Sequence, residues 1–165
     1  MTPKPILLAT DGSPSAAEAT LQAVELARAF DAPLVVISID HPPSIVGGAY
    51  YGYGELLVEI REAEHHRIET VLEQVCAVAD EAGVECEPVH GGEQISVPDQ
   101  ICRLAAARKA RMIVIGAHGW NPVQRVFHGS VSTAVVHEAR CPVLVVRAGS
   151  VREDAPPVEL SALRS

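Results

Sequence analysis

Lysine is almost missing from this chain: Lys4 and Lys109 are the two, and 13 Lys plus Arg face 21 Asp plus Glu for a formal net charge of −8. A phosphodiester backbone would approach against that field, which argues against a nucleic-acid partner and leaves any anionic small ligand to be held by local backbone dipoles. Long apolar runs are missing too. The longest are strand-sized, far short of the about 20 residues that a membrane-spanning helix needs, so no membrane role is expected. Cysteine is sparse: Cys76, Cys86, Cys102 and Cys141 lie 10, 16 and 39 positions apart and form no C-x-x-C pair. With no secretory pattern in MTPKPILLAT, all four are expected to be reduced thiols in a cytoplasmic protein, Cys102 and Cys141 as small core residues. Two nucleotide signatures are absent as well. Neither lysine stands in G-x-x-x-x-G-K-[ST], and Gly52-Tyr53-Gly54 is not followed by a third glycine, which disfavours a Walker ATPase or a dinucleotide dehydrogenase.

What is present fits one domain. The chain has 165 residues, 48% of them apolar, with mean hydropathy +0.18, enough to close a single core. Pro5–Thr10 (PILLAT) is a continuous apolar run ending at Asp11-Gly12, as a strand buried on both faces would be. Ser13-Pro14 then gives an N-cap and a proline at the first helical position, with helical spacing as far as Phe30. Pro33–Ile39 reads as a second strand, stopped by Pro42-Pro43. Ser44–Gly54, with four glycines and Tyr50, Tyr51 and Tyr53, reads as a loop that either folds over a ligand or orders in a partner interface.

Glu55 to about Ala82 carries the longest helical pattern, capped at Gly83, and its Glu62, His65, His66 and Glu69 read as a solvated face rather than a metal site. Val84–His90 follows as a half-exposed strand, with Gly91-Gly92 after it. Ser96 to Asp99 has capping-box spacing and opens a helix through Ala107 or Lys109. Met112–Ile115, a helix over about Ser130–Ala139, and Pro142–Val146 complete the pattern, and 148–165 is expected to be a loosely held tail beyond a 1–147 domain. Strand and helix alternate throughout, the order of an α/β sandwich with a mainly parallel sheet. In such sheets ligands lie beyond the C-terminal strand ends, and the first and fourth strands are the natural neighbours there.

The segment from Gly116 to Ser132 (GAHGWNPVQRVFHGSVS) carries most of the chemistry. Gly116 and Gly119 allow backbone to approach a ligand closely, and Gly129 precedes a helix start with Ser130, Ser132 and Thr133, where unpaired N–H groups and the helix dipole favour an anion. Each glycine alone would be read as a turn residue; three at this spacing, between a buried strand and a capped helix, point to a phosphate cradle.

This segment resembles the nucleotide-binding branch of the universal stress protein family, whose hallmark G-x2-G-x9-G-[ST] is matched by Gly116, Gly119, Gly129 and Ser130. The resemblance runs from about Lys4 through Arg147. It implies a Rossmann-like, adenine nucleotide alpha hydrolase-like three-layer sandwich with a five-stranded parallel sheet of order 3-2-1-4-5. It also implies bound ATP, with Mg2+, and a homodimer paired through Val143–Val146, while the want of a basic residue after Gly119 leaves ADP or AMP open as well. Carried over, Asp11 would face the ribose or adenine end and Ile39 would line the adenine pocket with Ile115. Gly116, Gly119, Gly129, Ser130, Val131 and Ser132 would hold ribose and phosphates.

The sequence departs from that pattern in the loop. Trp120-Asn121-Pro122 stands where many relatives carry a basic residue, leaving Arg125 as the loop's one cation, and His118 and His128 each read either as a phosphate-facing donor or as an ordinary histidine. Asp11 has Ser13, not a second carboxylate, two residues on, so no metal-dependent phosphotransferase site is built there. The expected function is a nucleotide-dependent regulatory dimer in a stress response, with a downstream protein partner the sequence does not name. The alternatives are a slow ATPase or phosphotransferase using Ser130, Ser132 or His118, and a nucleotide-free interaction module.

Overall fold

A computed structural model of the chain describes residues 3–39, 54–92, 95–117 and 131–147. Among these, the elements run β1 (Ile6–Ala9), α1 (Pro14–Ala29), β2 (Leu34–Ile39), α2 (Gly54–Glu81), β3 (Cys86–Gly91), α3 (Val97–Ala107), β4 (Met112–Gly116), α4 (Val131–Glu138) and β5 (Val143–Val146). All strand pairs are parallel, in the order β3-β2-β1-β4-β5. Both the alternation of elements and the sheet order agree with expectation.

The central strands alternate between two cores because successive side chains leave a strand on opposite faces. Ile6, Leu8, Leu34, Val36 and Val114 face α1 and α2, where Ala19, Ala23, Ala27, Ile68, Leu72 and Val75 meet them. Leu7, Ala9, Val35, Ile37, Ile113 and Ile115 face α3 and α4, against Ile101, Ala105 and Val135. With neither face exposed, each strand needs apolar residues at every position, which is why its run in the sequence is continuous rather than alternating. Small alanines on the buried stripe of α1 let that helix lie close to the sheet.

Helix ends account for the small differences from the sequence reading. Gly83 has φ +72°, its N–H donates to the Asp80 carbonyl (2.9 Å), and the Val84 N–H donates to the Ala79 carbonyl (2.9 Å). This turn holds Val84 in the helix ending, so β3 begins at Cys86 rather than Val84 and runs on into Gly91. β3 is not the evenly alternating strand expected: Glu87 and Pro88 are both exposed, as befits an edge strand. Gly54, read as loop, is the first residue of α2. The rest of that loop reading, residues 44–53, lies outside the described residues, as does the 148–165 tail.

The same left-handed ending closes α1 and α3, but with Asp31 (φ 49°) and Lys109 (φ 52°) where α2 uses glycine. A side chain in that region costs about 1 to 2 kcal/mol, partly offset in glycine by the entropy of its unfolded state. Asp31→Gly and Lys109→Gly are each expected to add about 0.5 to 1 kcal/mol to stability. The effects should be additive, because the two positions end helices on opposite faces of the sheet, and a rise in urea midpoint with unchanged slope is the measurement.

The cysteines require a larger correction. Cys76 and Cys86 form a disulfide, with Cα atoms 5.4 Å apart, within the span the bond needs. The sequence reading expects four reduced thiols, and two are found. The nine residues between the pair cover the end of α2 and the tight turn at Gly83, which bring the helix side and the strand start together. Cys102 and Cys141 are free and half-buried. Burial raises both thiol pKa values, and at Cys102 the nearby Glu138 adds to the rise, so neither is poised as a nucleophile.

Candidate functional site

The β1–α1 junction is built by short local bonds. The Asp11 carboxylate accepts from the Ser13 N–H (Oδ1, 2.9 Å), Thr10 Oγ1 accepts from the Gly12 N–H (3.2 Å), and Ser13 Oγ caps α1 by accepting from the Ala16 N–H (3.3 Å). Gly12 takes φ +75°, closed to most side chains. α2 covers this turn from above. Arg67 Nη1 donates to the Asp11 carbonyl at 2.9 Å, while its Nε and Nη2 form a fork on the Glu64 carboxylate at 2.9 and 2.7 Å. A Cβ added at Gly12 would lie 2.8 Å from Val71 Cγ2, so helix and turn are in direct contact.

Ile39 closes β2 beside Gly91 of β3. A Cβ at Gly91 would come within 2.5 Å of Ile39 Cγ1 and 2.8 Å of Gln100 Oε1, so glycine here lets the Ile39 side chain pack across the strand end. Gln100 of α3 fastens the adjoining loop: its Nε2 donates to the carbonyls of Gly92 (2.6 Å) and Ile95 (2.8 Å), and its Oε1 accepts from the Gly92 N–H (3.0 Å).

On the other side of β1, Ile115 pairs with Ala9 and Gly116 with Val146. The Ala117 N–H continues the ladder to the Val146 carbonyl (2.7 Å), and the buried Ser132 hydroxyl donates to the Ala117 carbonyl (3.4 Å), tying the first turn of α4 to the exit of β4. Asp11, Ile39, Ile115, Gly116, Val131 and Ser132 therefore share the C-terminal edge of the sheet. Sheet order reverses there, between β1 and β4, and α1 and α4 present their N-terminal ends, a setting suited to an anionic ligand with an apolar portion.

The other expected site residues, His118, Gly119, Arg125, Gly129 and Ser130, lie outside the described residues, as do His128 and the three tyrosines. Arg67 and Gln100 are absent from the sequence reading. The available signal for Arg67 is its place four positions before Val71, at the margin of the apolar stripe of α2, where a purely solvated cation would not be needed. Glu69 does meet His65 (3.5 Å) and His66 (3.6 Å) on an exposed face, and among the described residues no group of three or more His, Cys, Asp or Glu could hold a metal. No helix among them is long and apolar enough to cross a membrane.

Comparison with known proteins bears on this site. Residues 2–147 match the profile of the universal stress protein family. A universal stress protein of Methanocaldococcus jannaschii is 34% identical over 145 residues, which is 87% of this chain and 82% of the relative. Among solved structures, universal stress protein UspA from Lactobacillus plantarum superposes with a TM-score of 0.73 at 24% identity, covering 89% of this chain and 99% of that one. The universal stress protein from Archaeoglobus fulgidus in complex with dAMP has a TM-score of 0.63 at 23% identity, covering 88% of this chain and 99% of that one. The two solved structures share the fold, and on the profile and the archaeal sequence relative the chain belongs to the universal stress protein family.

Proposed function

We propose that the protein binds an adenine nucleotide in the crevice where β1 and β4 part, and that the nucleotide regulates a dimer in the cytoplasm. The observation that carries this reading is the convergence of the Asp11 turn, the Ile39 wall, and the Ile115–Gly116 exit at the reversal of strand order, with α4 starting beside it. Structures of relatives with dAMP, cAMP or AMP support the ligand class. The apolar wall suits the base, and main-chain amides at the start of α4, with the glycine loop, suit ribose and phosphate. ATP is expected to bring Mg2+ with its phosphates. Exposed Leu144 and Val145 on the edge strand β5 support pairing of two copies through that strand.

Calorimetric titration of the purified chain with AMP, ADP and MgATP tests the reading. One site per chain is expected, with Kd at or below about 100 μM, equivalent to about −5.5 kcal/mol. Sedimentation of the same samples should give twice the chain mass. Absence of saturable binding to all three nucleotides would remove the proposal.

A further inference from the structure

α2 and β3 are joined at two separated points. Toward the crevice, His65 of α2 stacks on His90 of β3, with ring centroids 4.3 Å apart and planes inclined by 24°. At the far end the Cys76–Cys86 disulfide makes the second join. Cys76 lies nine residues beyond Arg67, about 13 Å along the helix, and Cys86 lies five residues before Gly91, about 17 Å along the strand. Each element thus carries a sulfur at one end and a crevice support at the other. Arg67 holds the Asp11 carbonyl, and Gly91 seats Ile39.

β3 is the element for which such a join matters most. Among the described residues it lies at the sheet edge with β2 as its one ladder partner, and it exposes Glu87 and Pro88. A strand at the edge of a sheet, with one side outside the ladder and side chains in water, opens at lower free energy than a central one. Both cysteines are half-buried rather than fully enclosed, and exchange requires an attacking thiolate to reach one sulfur, which opening of the edge strand allows. In a reducing compartment a disulfide of this kind is a transient, redox-responsive bond rather than a permanent one.

We infer that Cys76–Cys86 is a reversible thiol–disulfide exchange site for a dithiol reductant, and that its state sets how firmly α2 and β3 hold the crevice. The second half rests on the nucleotide reading above. In reduction, a thiolate of the dithiol attacks one sulfur of the pair, the protein S–S bond breaks, and the other sulfur leaves as a thiolate that takes a proton. The second thiol of the reductant then displaces the mixed disulfide. The protein gains two electrons and two protons and ends with two thiols, and the reductant ends as a disulfide. Closing the bond again requires a disulfide oxidant such as oxidised glutathione. Once the bond is open, α2 and β3 lose their covalent join and keep only non-covalent contacts such as the histidine stack, so opening of this pair becomes more frequent and the supports at Asp11 and Ile39 loosen together.

The test uses the full chain, oxidised with glutathione disulfide or reduced with dithiothreitol. Mass spectrometry after alkylation should find two modified cysteines in the oxidised sample, Cys102 and Cys141, and four in the reduced one. Amide exchange in α2 and β3 should quicken about ten-fold or more on reduction, and AMP should bind about five-fold more weakly. Cys76→Ser/Cys86→Ser should behave as the reduced protein in both buffers, and Cys102→Ser/Cys141→Ser should keep the response. Four alkylated thiols under oxidant, or two in both samples, would overturn the site, and amide exchange in α2 and β3 that does not change on reduction would overturn its hold on the two elements. Equal AMP affinity in both states, with exchange altered, would overturn the coupling. A change in exchange with no AMP binding in either state would support the exchange site and defeat the nucleotide reading instead.

Discussion

Ile113→Ala is expected to remove about 3 to 4 kcal/mol of unfolding free energy, a large share of the about 5 to 15 kcal/mol that a domain possesses. Ile113 is fully buried, in the core shared with Leu7, Ile101 and Val135. Its strand is hydrogen-bonded on both sides, with Leu7 of β1 and Val143 of β5 as register partners. The backbone therefore cannot move in to fill the space left by the missing carbons, and a site that cannot collapse retains the full cavity cost. Urea unfolding should show a lower midpoint with the slope unchanged, since the area exposed on unfolding hardly differs. Val145→Ala on the same sheet should cost less than about 1 kcal/mol in the monomer, because Val145 is 38% exposed and its methyl groups are already partly in water. A cost below about 1 kcal/mol at Ile113 would show that β4 is not a central strand.

That contrast bears on what the sequence can reveal. β4 is legible because a strand covered on both faces must be apolar at each position, and MIVI ending at a glycine has few other readings. The helix starts at Ser13 and Ser96 are legible because capping is a contact between near neighbours: Ser96 Oγ accepts from the Asp99 N–H (3.3 Å) and donates to the Asp99 carboxylate (2.8 Å). Strand order is less accessible. Right-handed crossovers narrow the choices and the switch-point rule sets the fourth strand beside the first, but the full order 3-2-1-4-5 comes from family resemblance, since spacing along the chain does not place the other strands. The described part of the site divides in the same way. Asp11 and Gly116 can be placed at strand ends by pattern alone, whereas Arg67 reaches Asp11 across 56 positions; Gln100 binds Gly92 and Ile95, only eight and five positions back, but no repeating pattern marks a glutamine that bonds main chain in the segment before its own helix. Cys76 and Cys86 are misread from sequence for the same reason. Their pairing depends on how a helix end folds back onto a strand, and a spacing of ten without a C-x-x-C motif carries no trace of that.

Gly12→Ala is the change expected to damage fold and site together. Gly12 sits at φ +75°, where a side chain costs about 1 to 2 kcal/mol. The added methyl would also lie 2.8 Å from Val71 Cγ2. Val71 is β-branched and has no free rotation with which to swing aside, so α2 must retreat by a few tenths of an ångström, an overpacking cost of about 1 kcal/mol or more. The combined loss is about 2 to 4 kcal/mol. Retreat of α2 also draws Arg67 away from the Asp11 carbonyl, now at 2.9 Å, and the turn that presents Asp11 loses its outer support. AMP affinity should fall about ten-fold, equivalent to about 1.4 kcal/mol. A second substitution separates the two causes. Val71→Ala in the Gly12→Ala background removes the collision but leaves the left-handed backbone, so part of the stability loss should remain while AMP affinity recovers. The two substitutions should therefore couple favourably, by about 1 kcal/mol, in a double-mutant cycle. If affinity stays as low in the double variant as in Gly12→Ala alone, the backbone of the turn itself, and not the seating of α2 upon it, sets the position of Asp11.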